Sequence, residues 1–317
     1  MKRNTMVCRV RDYLRLRRSL GFQMRSQEEM LLRFARHLDR SKHRGPLTVQ
    51  KALEWANRPH LSQSTRATRL SAVRCSARYM AVRDGQTEVP GRHLVPKVCF
   101  RQRPHLYSQR ELEQLLAATQ RLWPSYPLKR LVYWTLFGLL ACTGLRVSEA
   151  LKLNAAHVDV KHDVLRIEET KFKKSRLEPL HATATRAMCR YALARYGQLH
   201  VRDNSPFSIN DRGIRLTYCA VRWNFERLRD MLGLTKGNGQ RPRPRLHDMR
   251  HTFACQRLLS WYRQGKDVHH LIAALSTYLG HGKVSDTYWY LTGTPELLAV
   301  AGGRFERFAS RAQGGRS

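Results

Sequence analysis

The sequence predicts a mainly α-helical chain with one small antiparallel β-sheet, divided into a helical domain over residues 1–105 and a mixed domain over residues 106–317. Three observations lead there. Apolar residues recur at helical spacing along most of the chain. Period-two alternation is confined to the stretch between His157 and Leu180. A basic, poorly periodic stretch with Pro90, Pro96 and Pro104 separates the two regions as a linker. At roughly 150 residues per domain, 317 residues fill about two domains, each able to bury a core without disulfides or metals.

In chain order, Ser26 and Glu29 have capping-box spacing and predict a helix carrying Met30, Leu31, Phe34 and Leu38 on one face. Further helices are expected over Val49 to Ala56 and Thr65 to Val82, the latter closed by Asp84-Gly85. A second capping box, Ser108 with Glu111, opens a helix with Leu112, Leu115 and Leu116 on one side. The uncharged run from Leu131 to Leu145 is too short to cross a membrane and reads as a buried helix. The pairs Val158 and Val160, Leu165 and Ile167, and Leu177 and Leu180, separated by Lys161-His162-Asp163 and by Lys171 to Arg176, then predict a small antiparallel sheet of three strands. Helices resume at Ile214 to Leu232, His247 to Gln264 and Val268 to Leu279. A last short helix is expected from Thr294-Pro295-Glu296 through Leu297, Leu298 and Val300 to Gly302-Gly303.

The charge narrows the function. Fifty-eight basic residues, 45 of them Arg, face 24 acidic ones, for a net charge of +34. Each domain is cationic, with 24 basic and 7 acidic side chains up to residue 105 and 34 and 17 beyond it. An excess of that size on a chain with 42% hydrophobic residues points to a polyanionic partner, with double-stranded DNA foremost, gripped from two sides. The N-terminus lacks a secretory signal, so neither export nor a membrane is expected. Seven scattered cysteines, never spaced C-x-x-C, argue against a disulfide framework or zinc ribbon and fit a reducing cytoplasm.

Five segments carry candidate chemistry for phosphodiester transfer, which needs cations on the nonbridging oxygens, a nucleophile and an acid for the departing oxygen. The first is Thr143-Gly144-Leu145-Arg146-Val147-Ser148-Glu149, although an Arg ending an apolar stretch is by default a snorkelling surface residue. In the second, Arg245 to Thr252, His247 and Arg250 share a helical face. The same segment, His247-Asp248-Met249-Arg250-His251, approaches the H-E-x-x-H zinc pattern. Its Asp is shorter than the Glu required, and Arg241, Arg243, Arg245 and Arg250 disfavour a dication, so no metal is expected. The third, Tyr278-Leu279-Gly280-His281-Gly282, is a helix end with Gly280 as its cap and a His beyond. The fourth, Ser285 to Leu291, holds Tyr288 and Tyr290, by default core or stacking aromatics. The fifth is the basic turn Thr170 to Arg176, whose default is a solvated hairpin tip.

In this order the segments resemble the catalytic domain of the tyrosine recombinases, the phage-integrase family that includes the Xer resolvases. The T-G-L-R-x-S-E, hairpin Lys, H-x-x-R-H, L-G-H and final Tyr are matched in turn over about residues 106–305. The resemblance implies a two-domain recombinase with a helical core-binding domain. Arg146 and Arg250 would bind phosphate, with Glu149 supporting the site. Lys171 would protonate the leaving 5′ oxygen, with Lys173 or Lys174 as substitutes. His247 and His281 would assist proton transfer and hold the phosphate, and Tyr290 would be the nucleophile.

The expected activity is site-specific DNA recombination, of integrase or transposase type, through a covalent 3′-phosphotyrosine and a Holliday junction. It would use no metal, cofactor or ATP. By the same resemblance, a homotetramer would hold two DNA sites, accessory recombinases or DNA-bending proteins would be further partners, and the setting would be a mobile element at the bacterial nucleoid. A type IB topoisomerase and a catalytically silent DNA-binding regulator are the alternatives. The Thr-Gly-Leu-Arg and Leu-Gly-His segments weigh against the first, and the complete residue set against the second.

Overall fold

The computed structural model describes residues 5–96, 104–122, 126–168, 175–197, 202–234 and 243–292. The chain divides into two compact units, residues 1–101 and 102–317. In the first unit, α1 (Met6–Ser19), α2 (Arg25–Arg40), α3 (Val49–Ala56) and α4 (Gln63–Ala81) enclose a core that includes Val10, Leu14, Leu31, Phe34, Leu38, Trp55, Leu70 and Val73. Helix α3 keeps its expected bounds. The expected Ser26–Glu29 capping box does not form. Gly21, at φ +84°, turns the chain out of α1, and α2 begins at Arg25 behind Met24, so Ser26 falls inside the first turn instead of at the cap. Glu29 instead pairs with Arg33 one turn on.

In the second unit, α5 (Gln109–Ala118) opens on the Ser108–Glu111 capping box, with Glu111 N donating to Ser108 Oγ at 3.2 Å and Ser108 N to Glu111 Oε2 at 2.7 Å. Helix α6 (Pro127–Thr143) is the buried helix expected from the uncharged run. Its residues Val132, Tyr133, Leu136, Phe137, Leu139 and Leu140 lie in the core. Among the described residues no helix is long and apolar enough to cross a membrane. A short α7 (Val147–Lys152) leads to the sheet of β1 (Val158–Asp159), β2 (Val164–Ile167) and β3 (Arg176–Pro179), antiparallel in the order β1-β2-β3. Helices α8 (Ala182–Tyr196), α9 (Tyr218–Met231), α10 (Asp248–Arg263), α11 (Val268–Tyr278) and α12 (Ser285–Thr292) complete the unit.

The expected three-stranded antiparallel sheet forms, with two of its apolar residues turned outward. Val160 lies just past β1 and is exposed, and Leu177 is 67% exposed. On β3 the inward positions belong to Arg176 and Glu178, because alternate residues share a face and Glu178, opposite Leu165, is the one buried. The strand gives its core face to charged side chains that pair with one another. Residues Ile214 to Thr217, expected to be helical, instead precede α9, and Ile209 bridges to Arg215 there. The expected helix from Thr294 to Val300 lies outside the described residues.

Candidate active site

The site is assembled where the turns after α6 and α11 converge. Helix α6 ends at Gly144, whose φ of +67° turns the chain so that Arg146 becomes the N-cap of α7. Glu149, three residues on, accepts Arg146's backbone N–H at 3.2 Å and its Nη1 at 2.7 Å, which holds the guanidinium at the helix start. The other arm of Arg146 donates to Gly280 O at 2.9 Å.

Gly280 follows the end of α11 at φ +64°, where a β-carbon would lie 2.7 Å from Arg176 Nη1. Only glycine lets the Arg176 guanidinium approach the turn this closely. Arg250, in the first turn of α10 and 2% exposed, crosses to the same place, donating to Gly144 O at 2.8 Å and Leu279 O at 2.5 Å. The two arginines are therefore pinned by carbonyls at the ends of α6 and α11, with N–H groups left to meet an anion.

Tyr290 completes the cluster from α12. It is 3% exposed, and its ring stacks on that of His281 at 6.0 Å between centroids. Tyr288, two residues earlier on the helix, is 42% exposed and points away. His281 Nδ1 lies 2.7 Å from the buried Thr287 Oγ1, which fixes the ring. His247 caps α10 and meets His251 edge to face, with centroids 4.8 Å apart. The structure thus brings together Arg146, Glu149, His247, Arg250, His281 and Tyr290. Lys171, with its alternatives Lys173 and Lys174, lies outside the described residues, within the connection from β2 to β3.

Two fixed cations and burial set the electrostatics of the cluster. Burial and the Arg250 and Arg146 cations push His281 down to about 4. His247 stays open to solvent, yet the protein around its ring and the Arg250 cation beside it also push it down to about 4. Burial raises the Tyr290 phenol above its ordinary value, and Arg250 only partly offsets this. For Glu149, burial acts to raise the pKa, but Arg176 and Arg146 outweigh it and keep the carboxylate ionised. The zinc-like reading of residues 247–251 loses its acid, since Asp248 is fully buried and its carboxylate is bound by Arg245 N at 2.8 Å and Arg245 Nη2 at 2.9 Å.

Two supports escaped the sequence reading. Arg176 reaches Glu149 and Glu178, and Thr287 holds His281. The inward parity of Arg176 with Glu178 was the available signal for the first. Thr287 carried none that distinguishes it from an ordinary helix residue.

Residues 106–296 match the phage integrase family. A Sinorhizobium fredii protein named as an integrase/recombinase, y4rB, is 41% identical over 303 residues, 94% of this chain and 96% of its own. The tyrosine recombinase XerD of Caulobacter vibrioides is 29% identical over 75% of this chain and 74% of its own. Among solved structures, the Tn1549 transposon integrase with transposon right-end DNA superposes with a TM-score of 0.67, at 19% identity, covering 96% of this chain and all of that one. The XerH recombinase bound to palindromic difH after cleavage gives 0.64 at 18% identity, covering 87% and 78%.

Proposed function

Because the chain belongs to the phage integrase family, we propose that it is a site-specific DNA recombinase of the integrase or transposase type, with Tyr290 as nucleophile. The observation that carries this reading is the convergence of Arg146, held by Glu149 and the Gly280 carbonyl, and Arg250, held by the Gly144 and Leu279 carbonyls, beside the stacked Tyr290 and His281. A scissile phosphate seated there meets two guanidiniums on its nonbridging oxygens and the phenol on its far side.

As Tyr290 Oη bonds to phosphorus, negative charge builds on those oxygens, and the two fixed cations balance it without reorganising. The P–O5′ bond breaks, and Lys171 gives the departing oxygen its proton. His247 and His281, uncharged in the free protein, accept or relay protons once the phosphate offsets the neighbouring cations. The covalent 3′-phosphotyrosine conserves the phosphodiester bond energy, so the 5′ hydroxyl of a second strand can reverse the step without ATP. We read the reaction as metal-independent, since Arg146 and Arg250 supply the charge that a divalent ion would, and Asp248 is committed to Arg245.

In this reading both units contact duplex DNA, the first as core-binding domain and the second as catalytic domain. Four protomers hold two sites through a four-way junction. Accessory recombinases or DNA-bending proteins act beside them, on a mobile element at the nucleoid of a bacterial cytoplasm. The topoisomerase and silent-regulator alternatives are not favoured, because the relatives are named as recombinases and integrases.

The test is a nicked duplex that traps the covalent complex, incubated in excess EDTA and without nucleotide. Wild type and Tyr290→Phe should bind it alike, with a denaturation-resistant adduct forming in wild type and in Tyr288→Phe but not in Tyr290→Phe. An adduct with Tyr290→Phe would refute the nucleophile assignment. Loss of the wild-type adduct on chelation, restored by a metal, would refute metal independence.

A further inference from the structure

We propose that Arg176 is a positioning residue for strand cleavage, holding Glu149 so that Arg146 faces the phosphate, with Glu178 steering Arg176 in turn. The inference rests on the recombinase reading above and adds to it a residue that contacts neither DNA nor the nucleophile. Three features of its surroundings carry it.

The first is connectivity. Arg176 Nη2 donates to Glu149 Oε2 at 3.0 Å while Nη1 lies 3.5 Å from Oε1, so both carboxylate oxygens face one guanidinium. Those same oxygens accept Arg146 N and Arg146 Nη1. Remove Arg176, and Glu149 keeps one cation and is free to rotate, taking the Arg146 arm with it. Arg176 Nη1 also packs against Gly280, whose carbonyl receives the second arm of Arg146. Both anchors of Arg146 thus rest on Arg176.

The second is the cost of the arrangement. Glu178 is 1% exposed, on the core side of a short strand, where an aliphatic residue opposite Leu165 would pack without any charge to desolvate. A buried ion pair adds little stability over a well-packed apolar pair, because desolvation cancels most of the attraction. What Glu178 does accomplish is directional: it accepts Arg176 Nε at 2.9 Å, which turns the two Nη groups toward Glu149. The planar fork of arginine suits this double duty, since a single ammonium cannot span both carboxylates.

The third is position in the chain. Arg176 opens β3, paired in register with Ile167 at the end of β2, so it marks where the connection carrying Lys171 re-enters the fold. One side chain therefore ties the foot of that connection to the anchors of Arg146.

A purely structural role predicts something different. If Arg176 only neutralised buried Glu178, deleting both charges together would restore the enzyme. The test compares wild type, Arg176→Lys and the double variant Arg176→Met/Glu178→Val in single-turnover formation of the covalent complex. Two duplexes are used, one with a normal scissile phosphodiester and one with a neutral methylphosphonate there. The methylphosphonate lowers the charge that Arg146 must balance.

The double variant should keep its DNA affinity within about threefold and lose about 100-fold in rate on the phosphodiester, the scale of removing one electrostatic contact in a site. On the methylphosphonate the deficit should shrink below tenfold. Arg176→Lys, which retains a cation beside Glu178, should also cleave slowly. A double variant or an Arg176→Lys variant cleaving at the wild-type rate overturns the proposal, as does a deficit equal on both substrates. Failure of wild type itself to form the adduct would instead strike the recombinase reading.

Discussion

Gly280→Ala tests the geometry of the pocket with a single methyl group, and Gly233→Ala is its internal control. Both glycines sit just after helices in the left-handed region, at φ +64° and +69°, so both substitutions carry the same backbone strain of about 1–2 kcal/mol. They differ in what the new methyl meets. At Gly233 nothing lies within 4 Å. At Gly280 the β-carbon would sit 2.7 Å from Arg176 Nη1, 3.2 Å from its Cζ and 3.5 Å from Arg146 Nη1. Ordinary contact begins near 3.4 Å, so the Arg176 guanidinium must retreat by about 0.7 Å, and the Gly280 carbonyl that holds Arg146 moves with the strained turn.

A misplacement approaching 1 Å costs about 100-fold in a positioned reaction. Gly280→Ala should therefore lose between about 10- and 100-fold in single-turnover covalent-complex formation, while Gly233→Ala stays within about twofold of wild type. In thermal melts the shared backbone strain should lower both variants by about 2–8 °C, since each kilocalorie moves a unit of this size by about 2–4 °C, and the contact with Arg176 adds to the loss in Gly280→Ala. Equal cleavage by the two variants at matched stability would refute the claim that the Gly280 approach sets the Arg146 position.

Two further outcomes follow from the charges. In the first unit Arg33, Arg36, His37, Arg40, Arg58 and Arg69 crowd around Trp55, and burial together with the Arg58 cation holds His37 below its ordinary value. If DNA phosphates relieve that crowding, changing Arg36, Arg40 and Arg58 to Gln should lower the magnitude of the slope of log K against log salt by about 0.9 per lost contact, and an unchanged slope refutes phosphate contact there. The second outcome concerns pH in the DNA-free protein. His281, pushed down to about 4, favours folding progressively as pH rises from about 4 to its unfolded value near 6.5, because the unfolded chain binds more protons in that window. Glu178, pushed up to about 7 by burial, acts oppositely, its contribution fading as pH rises from about 4.5 to 7. His281→Gln and Glu178→Gln should therefore tilt the melting temperature against pH in opposite directions, and tilts of the same sign would contradict one of the two shifts.

What could be read from the sequence divides along a physical line. Helices with an apolar stripe and a cap, such as α3 and α5, were legible because burial selects one face and the cap residue marks the end, and α6 was legible because its run carries no charge. Helix α8 was not foreseen. Its buried positions are Thr185, Met188, Tyr191 and Arg195, so polar residues occupy two places where the pattern needs apolar ones. Helix α1 was hidden in the same way by its arginines, which leave Met6, Val10, Tyr13 and Leu14 as a thin stripe.

The site divides similarly. His247 and Arg250 were legible from their spacing, because three residues of helix bring side chains to one face whatever the rest of the fold does, whereas Arg146 and Glu149 were placed by the family resemblance. Glu149's second partner, 27 residues away, was not legible, because that pairing depends on which face of β3 turns inward. Leu177 and Leu180 invited the assumption that hydrophobic residues choose the inward face. The strand instead exposes Leu177, since Arg176 and Glu178 satisfy each other and Glu149 there, at the point where the turns after α6 and α11 meet. A local pattern fails where charges from distant segments compensate one another, and in this chain that failure falls beside Arg146, where fixed charge matters most for phosphoryl transfer.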